Sequence, residues 1–218
     1  MAKNQSTEDY VKGIYKLQQQ GKSVPTSILA RHLKIGDGSV TDMIKKLSMK
    51  KLVEYTPYRG VSLTHSGKRL ALKMVRRHRL WEMFLVKYLG YKWNEIHDEA
   101  ERLEHMTSDE MEERLDRALG YPKTDPHGDP IPNMRGEVEG MCHSPLSDFN
   151  SGDVVRIVRV SDDDANILQH ASEIGLALKR KVIVTKKRSF DGSMVVRTGS
   201  KEHYISRNVA QSVFVERA

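Results

Sequence analysis

A run of histidines and acidic residues at helical spacing occurs in HDEAERLEH, residues 97–105. At about 100° per residue, Ile96, Ala100 and Leu103 share an apolar stripe, and a polar stripe lies beside it. The polar stripe contains His97, Glu101, Glu104 and His105. Such neighbouring groups at the edge of a core repel each other or bury charge unless a cation neutralises them. The pattern is typical of a divalent-metal site, or of a salt-bridged surface helix in which Glu101 pairs with Arg102 or a lysine.

A second pair of this kind occurs upstream, where His78 and Glu82 are four residues apart in RRHRLWEMFLVKYL. The rest of that segment is apolar on almost every side, and a carboxylate in such surroundings is rarely buried without a partner. The pair is therefore either a simple hydrogen bond between histidine and glutamate or part of another metal site.

The N-terminal third has the order of elements of a winged helix-turn-helix. Capping residues, a Gly-Asp-Gly turn at 36–38 and apolar spacing predict three helices and a hairpin. The helices are expected at residues 6–20, 25–34 and 39–50, and the strands at 52–56 and 61–64.

The third of these helices is the candidate recognition helix for the major groove of DNA. Its first turns offer Ser39, Thr41 and Asp42 to base edges, and its lysines, Lys45 and Lys46, to phosphates. Arg59 at the tip of the hairpin is a further candidate for a minor groove or a phosphate. An ordinary amphipathic helix with solvated lysines is the competing interpretation of this helix alone, but the complete order of elements favours DNA.

The remaining pattern is helical and then changes to strands. Helices are predicted at 66–89, 93–108 and 109–119, followed by an irregular connector rich in proline and glycine at 120–152, interpreted as an interdomain linker. From residue 153 five strand-like runs, VVRIVRV, KVIVTKK, SMVVRTG, HYISRNV and SVFVER, predict a small β-barrel with a short helix after its first strand. The fold class is mainly α with β.

Composition limits the classes of protein that fit. The 218 residues carry a formal charge of +7 and include a single cysteine, Cys142, so an intramolecular disulfide is excluded. No apolar run approaches the length of a membrane-spanning helix, and no signal peptide is evident. Basic residues crowd 31–79, whereas acidic residues crowd 95–116. We expect a cytoplasmic protein that binds nucleic acid and carries a separate cation-binding segment.

The whole chain resembles the DtxR/MntR family of metal-dependent transcriptional repressors. The resemblance rests on TEDYVKGIY, LTHSGKRLA, RRHRLWEMFL, IHDEAERLEHMTSDEMEERL and DPHGDPIP. It implies a homodimer on double-stranded operator DNA. Each protomer would have a winged helix-turn-helix domain (1–72), a helical metal-binding and dimerisation domain (73–140) and an SH3-like domain of the FeoA type (141–218).

The resemblance also implies two metal sites. The activating site of the family matches Asp9, Glu101, Glu104 and His105, and a second site matches His78, Glu82 and His97. Relatives complete the second site from the connector, here Asp125 and His127, or from the first loop of the SH3-like domain, here Asp162–Asp164. The glutamate that some relatives carry three residues after the first aspartate is replaced by Lys12, which favours two separate sites over a paired dinuclear site.

The ligand types predict the metal. Relatives that respond to iron place a methionine and a cysteine where this chain has Asp9 and Glu101. Oxygen ligands with one imidazole suit Mn2+, and Fe2+ remains the alternative because it differs little in size and hardness. We expect a metal-dependent repressor of metal-homeostasis genes and not an enzyme. A metallohydrolase and a winged-helix regulator that senses an organic ligand are the rival hypotheses.

Overall fold

A computed structural model describes residues 2–19, 21, 23–138, 140 and 143–218, with only the backbone of residues 2–4. The N-terminal helices and strands are α1 (Ala2–Gln18), α2 (Thr26–Leu33), α3 (Asp37–Met49), β1 (Val53–Thr56), β2 (Gly60–Leu63), α4 (His65–Leu89), α5 (His97–Glu104) and α6 (Asp109–Leu119). The C-terminal elements are β3 (Ser144–Pro145), a 3-10 turn (Leu146–Asp148), β4 (Val154–Val160), α7 (Ala165–Glu173), β5 (Lys181–Lys187), β6 (Met194–Thr198), β7 (Lys201–Ile205), α8 (Arg207–Ser212) and β8 (Val213–Arg217). The predicted fold class, mainly α with β, is confirmed.

The first three helices and the hairpin enclose a common core. Ile14 of α1, Leu29 of α2 and Ile44 of α3 are fully buried in one apolar cluster, which Val61 of β2 also joins. The two strands pair antiparallel from Val53 opposite Leu63. This is the predicted order of helices and wing, and it leaves the outer face of α3 in solvent.

Three helix boundaries differ from the sequence prediction. Helix α1 begins at Ala2, ahead of the predicted start at residue 6. The expected Gly-Asp-Gly turn lies partly inside a helix, because Gly36 is the N-cap of α3 and Lys34 makes the turn with a left-handed φ of 55°. The helix predicted at 93–108 is shorter, since α5 covers only His97–Glu104.

The C-terminal region is an antiparallel sheet of six strands in the order β3-β8-β4-β5-β6-β7. Alternate residues of β4, β5 and β8 are buried in one apolar cluster together with Leu168 of α7. The strand predicted over HYISRNV is wrong in its second half. Ser206 accepts a hydrogen bond from the Val209 amide and starts α8, so the strand ends at Ile205.

Part of the predicted connector is fixed to this sheet. The amide of Val160 in β4 donates to the His127 carbonyl, at 2.9 Å. Gly128 has a φ of +90°, and a Cβ at that position would collide with the Val158 carbonyl oxygen. Residues 123–131 are therefore a docked segment and not a free linker, which corrects that interpretation.

The chain forms two compact units that are not continuous in sequence. The first comprises residues 1–81, 100–117 and 132–138, and the second comprises 82–99, 118–131 and 139–218. The three predicted domains, 1–72, 73–140 and 141–218, remain a prediction. Cys142 lies outside the described residues. Among the described helices, none is long and apolar enough to cross a membrane.

Candidate metal centre and nucleic-acid interface

Four of the predicted ligands converge in the first unit. Asp9 comes from α1, Glu101 and Glu104 come from α5, and His105 follows the end of α5. His105 Nε2 lies 2.9 Å from Asp9 Oδ1 and 3.7 Å from Glu104 Oε1. Ligand atoms of Asp9, Glu101 and His105 all lie within 4.8 Å of one another. The structure thus brings a side chain of α1 next to those of α5 and of the residue that follows it.

A carboxylate lies close to each ring nitrogen of His105. Its Nδ1 lies 2.7 Å from Glu8 Oε2, a contact that the sequence reasoning missed although Glu8 adjoins Asp9. Burial alone would lower the pKa of His105, but the contacts with Asp9 and Glu8 and the charge of Glu104 outweigh burial and raise this pKa to about 9. In the metal-free protein His105 is therefore a cation at neutral pH.

Lys12 places a second cation in the cluster. Its Nζ donates to Glu101 Oε2 at 2.6 Å and to the two oxygens of Glu104 at 2.7 and 2.8 Å. The side chains of Lys12 and Glu104 are 9% and 0% exposed, so this is a buried ion pair. The sequence identified Lys12 only as a departure from a family pattern and did not predict this contact.

His78 lies in the first unit beside these glutamates. Its Nδ1 is 2.6 Å from Glu104 Oε2 and 3.6 Å from Glu101 Oε2. The sequence assigned His78 to the second metal site, and that assignment remains a prediction. In the structure this imidazole contacts a predicted ligand of the activating site.

The donor set of the first cluster fits a divalent metal. It consists of three carboxylates and one imidazole, which are ligands of hard and borderline ions. Glu104 is fully buried, and a buried carboxylate needs a cation or hydrogen bonds to offset its lost hydration. The two resident positive charges, Lys12 and protonated His105, perform that neutralisation here. A metal could take over the same role only where His105 is neutral.

A second cluster lies in the other compact unit. His97 Nδ1 is 3.7 Å from Glu82 Oε1 and 3.9 Å from Asp162 Oδ2, and His127 Nε2 is 3.8 Å from Glu82 Oε1. Glu82 and His127 are each 1% exposed at the side chain, whereas His97 is 47% exposed. Neither ring nitrogen of His127 has a hydrogen-bond partner among the described residues. Glu82, His97 and Asp162 could hold one cation, and His127 places a second imidazole beside Glu82.

As in the first cluster, neighbouring carboxylates raise the pKa of a histidine in the second cluster. Burial lowers the pKa of His127, but Glu82, Asp125 and Asp162 outweigh burial and the pKa is raised. Asp125 is itself occupied in a turn, because its Oδ1 accepts from the amides of His127 and Asp129. Asp163 and Asp164 accept hydrogen bonds from Ser161 and from the Asn166 amide. Of the loop candidates, Asp162 is the one near the histidine ligands.

The predicted DNA contacts lie on the outer face of the winged helix. Ser39, Asp42, Lys45 and Lys46 of α3 and Arg59 of the hairpin turn are exposed. Thr41 is half-buried, and its hydroxyl donates to the Asp37 carbonyl at 3.0 Å. Lys45 Nζ lies 3.9 Å from Asp42 Oδ1, an exposed pair that phosphates can replace at little cost. The face is sterically open to a duplex.

Family models match each part of the chain. Residues 4–61 match the iron dependent repressor N-terminal DNA binding domain, and residues 64–133 match the iron dependent repressor metal binding and dimerisation domain. Residues 144–217 match the FeoA domain. The C-terminal sheet is thus of the expected SH3-like, FeoA type.

Whole-length relatives give the same result. The iron-dependent repressor IdeR of Mycobacterium leprae is 27% identical over 97% of each chain. A solved manganese-dependent transcriptional repressor in complex with manganese is 38% identical, with a TM-score of 0.89 over 97% of this chain and 100% of that one. The manganese regulator SloR is 31% identical, with a TM-score of 0.81 over 97% and 98% of the two chains. The chain belongs to the DtxR/MntR family of metal-dependent, DNA-binding transcriptional repressors.

Proposed function

We propose that this repressor is activated by Mn2+ and acts as a homodimer on double-stranded operator DNA. The observation that carries the proposal is the convergence of Asp9, Glu101, Glu104 and His105, an oxygen-rich set completed by one imidazole. The set has no thiolate or thioether, the soft donors that select softer ions. Similarity to manganese-dependent repressors of known structure supports the same choice.

The four residues would tie the DNA-binding helices to the dimerisation segment. Asp9 belongs to α1, which packs in the core of the winged helix, and the other three belong to α5 and the residue after it. When bound, the cation supplies positive charge shared by all four side chains. Glu8 orients His105, and Glu104 is buried where water does not compete. The spacing of two recognition helices in the dimer then matches half-sites about a helical turn, or its multiples, apart.

The second cluster would have a supporting role. Glu82, His97, His127 and Asp162 lie in the unit that contains the C-terminal sheet. A cation there would fasten the connector residue His127 and the loop residue Asp162 to α4 and α5. We assign to it stabilisation of that unit, whereas the first cluster controls DNA binding.

Fe2+ is the second candidate for the activating metal. The similar iron-dependent repressor of Mycobacterium leprae favours it, and Fe2+ has nearly the hardness and size of Mn2+. The absence of sulfur among the described ligands favours Mn2+ over Fe2+. A catalytic role for the same residues is the more distant alternative, which Mn2+-dependent turnover assays would reveal.

The deciding experiment is operator binding across a metal series. Operators selected from random duplexes are titrated with chelator-treated protein and with Mn2+, Fe2+ under anaerobic conditions, and Zn2+. We expect tight operator binding only with metal. Relative to the free concentration of each metal in cells, the concentration that gives half-maximal binding should be lowest for Mn2+. Equal affinity of the metal-free and Mn2+-loaded protein for the operator would overturn the proposal.

A further inference from the structure

Lys12 pairs with two predicted ligands of the activating site. Its ammonium makes three contacts of 2.6–2.8 Å with Glu101 and Glu104. Both oxygens of Glu104 and one oxygen of Glu101 are therefore engaged by a cation that the chain itself supplies. Lys12 also belongs to α1, one turn after Asp9, so its backbone is anchored in the same helix as a predicted ligand.

Buried lysine is uncommon, and its position demands an explanation. Lys12 is 7% exposed, and a desolvated ammonium is costly unless paired with hydrogen-bonding carboxylates. The glutamates need the ammonium equally, because Glu104 is fully buried and Glu101 is three residues away on the same helical face. Each side of the pair offsets the desolvation of the other. Lys12, Glu101 and Glu104 thus form a packed ion-pair cluster.

A divalent cation that uses these carboxylates meets the ammonium directly. Two positive charges that share the oxygens of Glu101 and Glu104 would lie only a few ångströms apart, where like charges in a poorly hydrated site repel strongly. Binding of the metal therefore removes the ammonium from at least part of its contacts. The flexible four-carbon stem of lysine permits this movement without displacement of α1.

We propose that the Lys12 ammonium is an internal counter-cation that competes with the activating metal for Glu101 and Glu104 and thereby sets the metal concentration at which the repressor responds. This inference rests on the proposed function, since it presumes that a metal binds these residues. It assigns to Lys12 a tuning role rather than a ligand role. Without metal, the ammonium offsets the repulsion between the two carboxylates and stabilises the site. The affinity for metal is lowered to the same extent.

The test compares neutral and charged replacements in direct metal titrations. Lys12→Gln and Lys12→Met remove the charge, and Lys12→Arg keeps it. Mn2+ binding to the purified full chain is measured by calorimetry or by Mn2+ electron paramagnetic resonance, without DNA. We expect both neutral variants to bind Mn2+ at least about tenfold more tightly than the wild type, whereas Lys12→Arg binds no more tightly. Lys68→Met, which removes an exposed charge from α4 of the same unit, is the matched control and should leave the affinity unchanged.

Thermal unfolding supplies a second readout. In chelator the neutral variants should melt below the wild type, because two carboxylates lose their counter-cation, and saturating Mn2+ should remove that deficit. Unchanged or weaker Mn2+ binding by both neutral variants would overturn the proposal and would make Lys12 a structural or supporting charge. Failure of the wild type itself to bind Mn2+ would instead refute the proposed function.

A measurement on the unmodified protein covers the case in which the neutral variants do not fold. Amine acylation followed by peptide mass spectrometry reports the reactivity of Lys12 with and without Mn2+, with Lys68 as the internal reference. We expect Lys12 to react faster in the Mn2+-loaded protein because its ammonium has left the glutamates. Equal protection in both states would contradict displacement.

Discussion

His105 Nε2 lies 2.9 Å from Asp9 Oδ1, so a residue just after α5 contacts the first helix of the chain. This contact joins the helix that supports the DNA-binding core to the segment that carries Glu101 and Glu104. Because a cation that binds both residues stabilises this junction, the metal and the DNA should each favour the same arrangement.

Loss of either residue of this pair should uncouple the metal from the DNA. Asp9→Ala and His105→Ala are expected to lower Mn2+-dependent operator affinity on the order of 100-fold, a typical upper range for coupling between sites. Fluorescence anisotropy with labelled operator, with and without chelator, measures the effect. Glu110→Ala, an exposed change on α6, is the control. Retention of the full metal response by Asp9→Ala would mean that α1 does not supply a ligand.

The same pair predicts how the stability of the metal-free protein depends on pH. The pKa of His105 is raised to about 9 in the folded state, against about 6.5 in an unfolded chain. Protonated His105 therefore contributes on the order of 1–3 kcal/mol to the free energy of unfolding. This contribution is complete below about pH 6.5 and is lost as pH rises through about 9. Urea unfolding in chelator between pH 6 and 9.5 measures it, and His105→Asn should remove this component of the slope.

Saturating Mn2+ should reverse that trend. A metal needs the neutral imidazole, so the stabilisation gained from Mn2+ should grow as pH rises over the same interval. A wild-type protein whose metal-free stability is flat from pH 6.5 to 9 would contradict the charged state assigned to His105.

Metal selectivity should follow the two positions where this chain carries oxygen ligands in place of sulfur. Asp9→Met with Glu101→Cys supplies softer donors, so the ratio of Fe2+ to Mn2+ response in operator binding should increase. Glu101→Cys also removes one partner of Lys12, so the single variants are needed to separate charge from softness. Asp9→Asn keeps an oxygen ligand and serves as the control. An unchanged metal preference in the double variant would place selectivity elsewhere.

Phosphate contact and base readout should separate along α3. Lys45→Ala or Lys46→Ala should weaken binding to every sequence and reduce the salt dependence by about one unit per lost phosphate contact. Changes at Ser39 or Asp42, which are exposed, should alter the preference among operators. Thr41 is a weaker candidate for base readout, because its hydroxyl donates to the Asp37 carbonyl. Lysine variants with altered sequence preference and an unchanged salt slope would show that the helix is placed wrongly on DNA.

Local spacing was enough to predict the winged helix and the polar stripe of His97, Glu101, Glu104 and His105, but not how that stripe divides. Asp9 was assigned through the family resemblance alone. His97 and His105 fall on one face in an ideal helix, yet α5 ends at Glu104 and His97 lies beside Glu82 and Asp162. A helical wheel has no information about partners from distant segments. The resemblance to a family, rather than the periodicity, separated the two histidines.

The contacts of Lys12 and of residues 123–131 also could not be predicted from local sequence, because they join segments that are distant in the chain. The contact of Lys12 with Glu104 joins α1 to α5, and no local pattern reports a tertiary ion pair. Proline and glycine around His127 correctly indicated irregular backbone, but the hydrogen bond of its carbonyl to Val160 depends on the fold of the sheet. Ser206 is a missed signal that sequence did contain, because serine before a helical segment is a common N-cap.

The second cluster should stabilise the protein without controlling the DNA response by itself. The contact of His78 with Glu104 makes His78→Ala an ambiguous probe, since it would disturb the first cluster as well. Glu82→Gln and His127→Asn are the better probes, because neither residue is a predicted ligand of the first cluster. We expect both to reduce the thermal stabilisation given by Mn2+ and to weaken metal-dependent operator binding about tenfold, whereas Asp9→Ala weakens it on the order of 100-fold. His170→Asn, a change in α7 of the same unit, is the control.

Melting temperature and operator affinity, each measured with chelator and with Mn2+, decide which cluster controls DNA binding. Equal and complete loss of the DNA response in the Asp9, Glu82 and His127 variants would show that the two clusters act as one site.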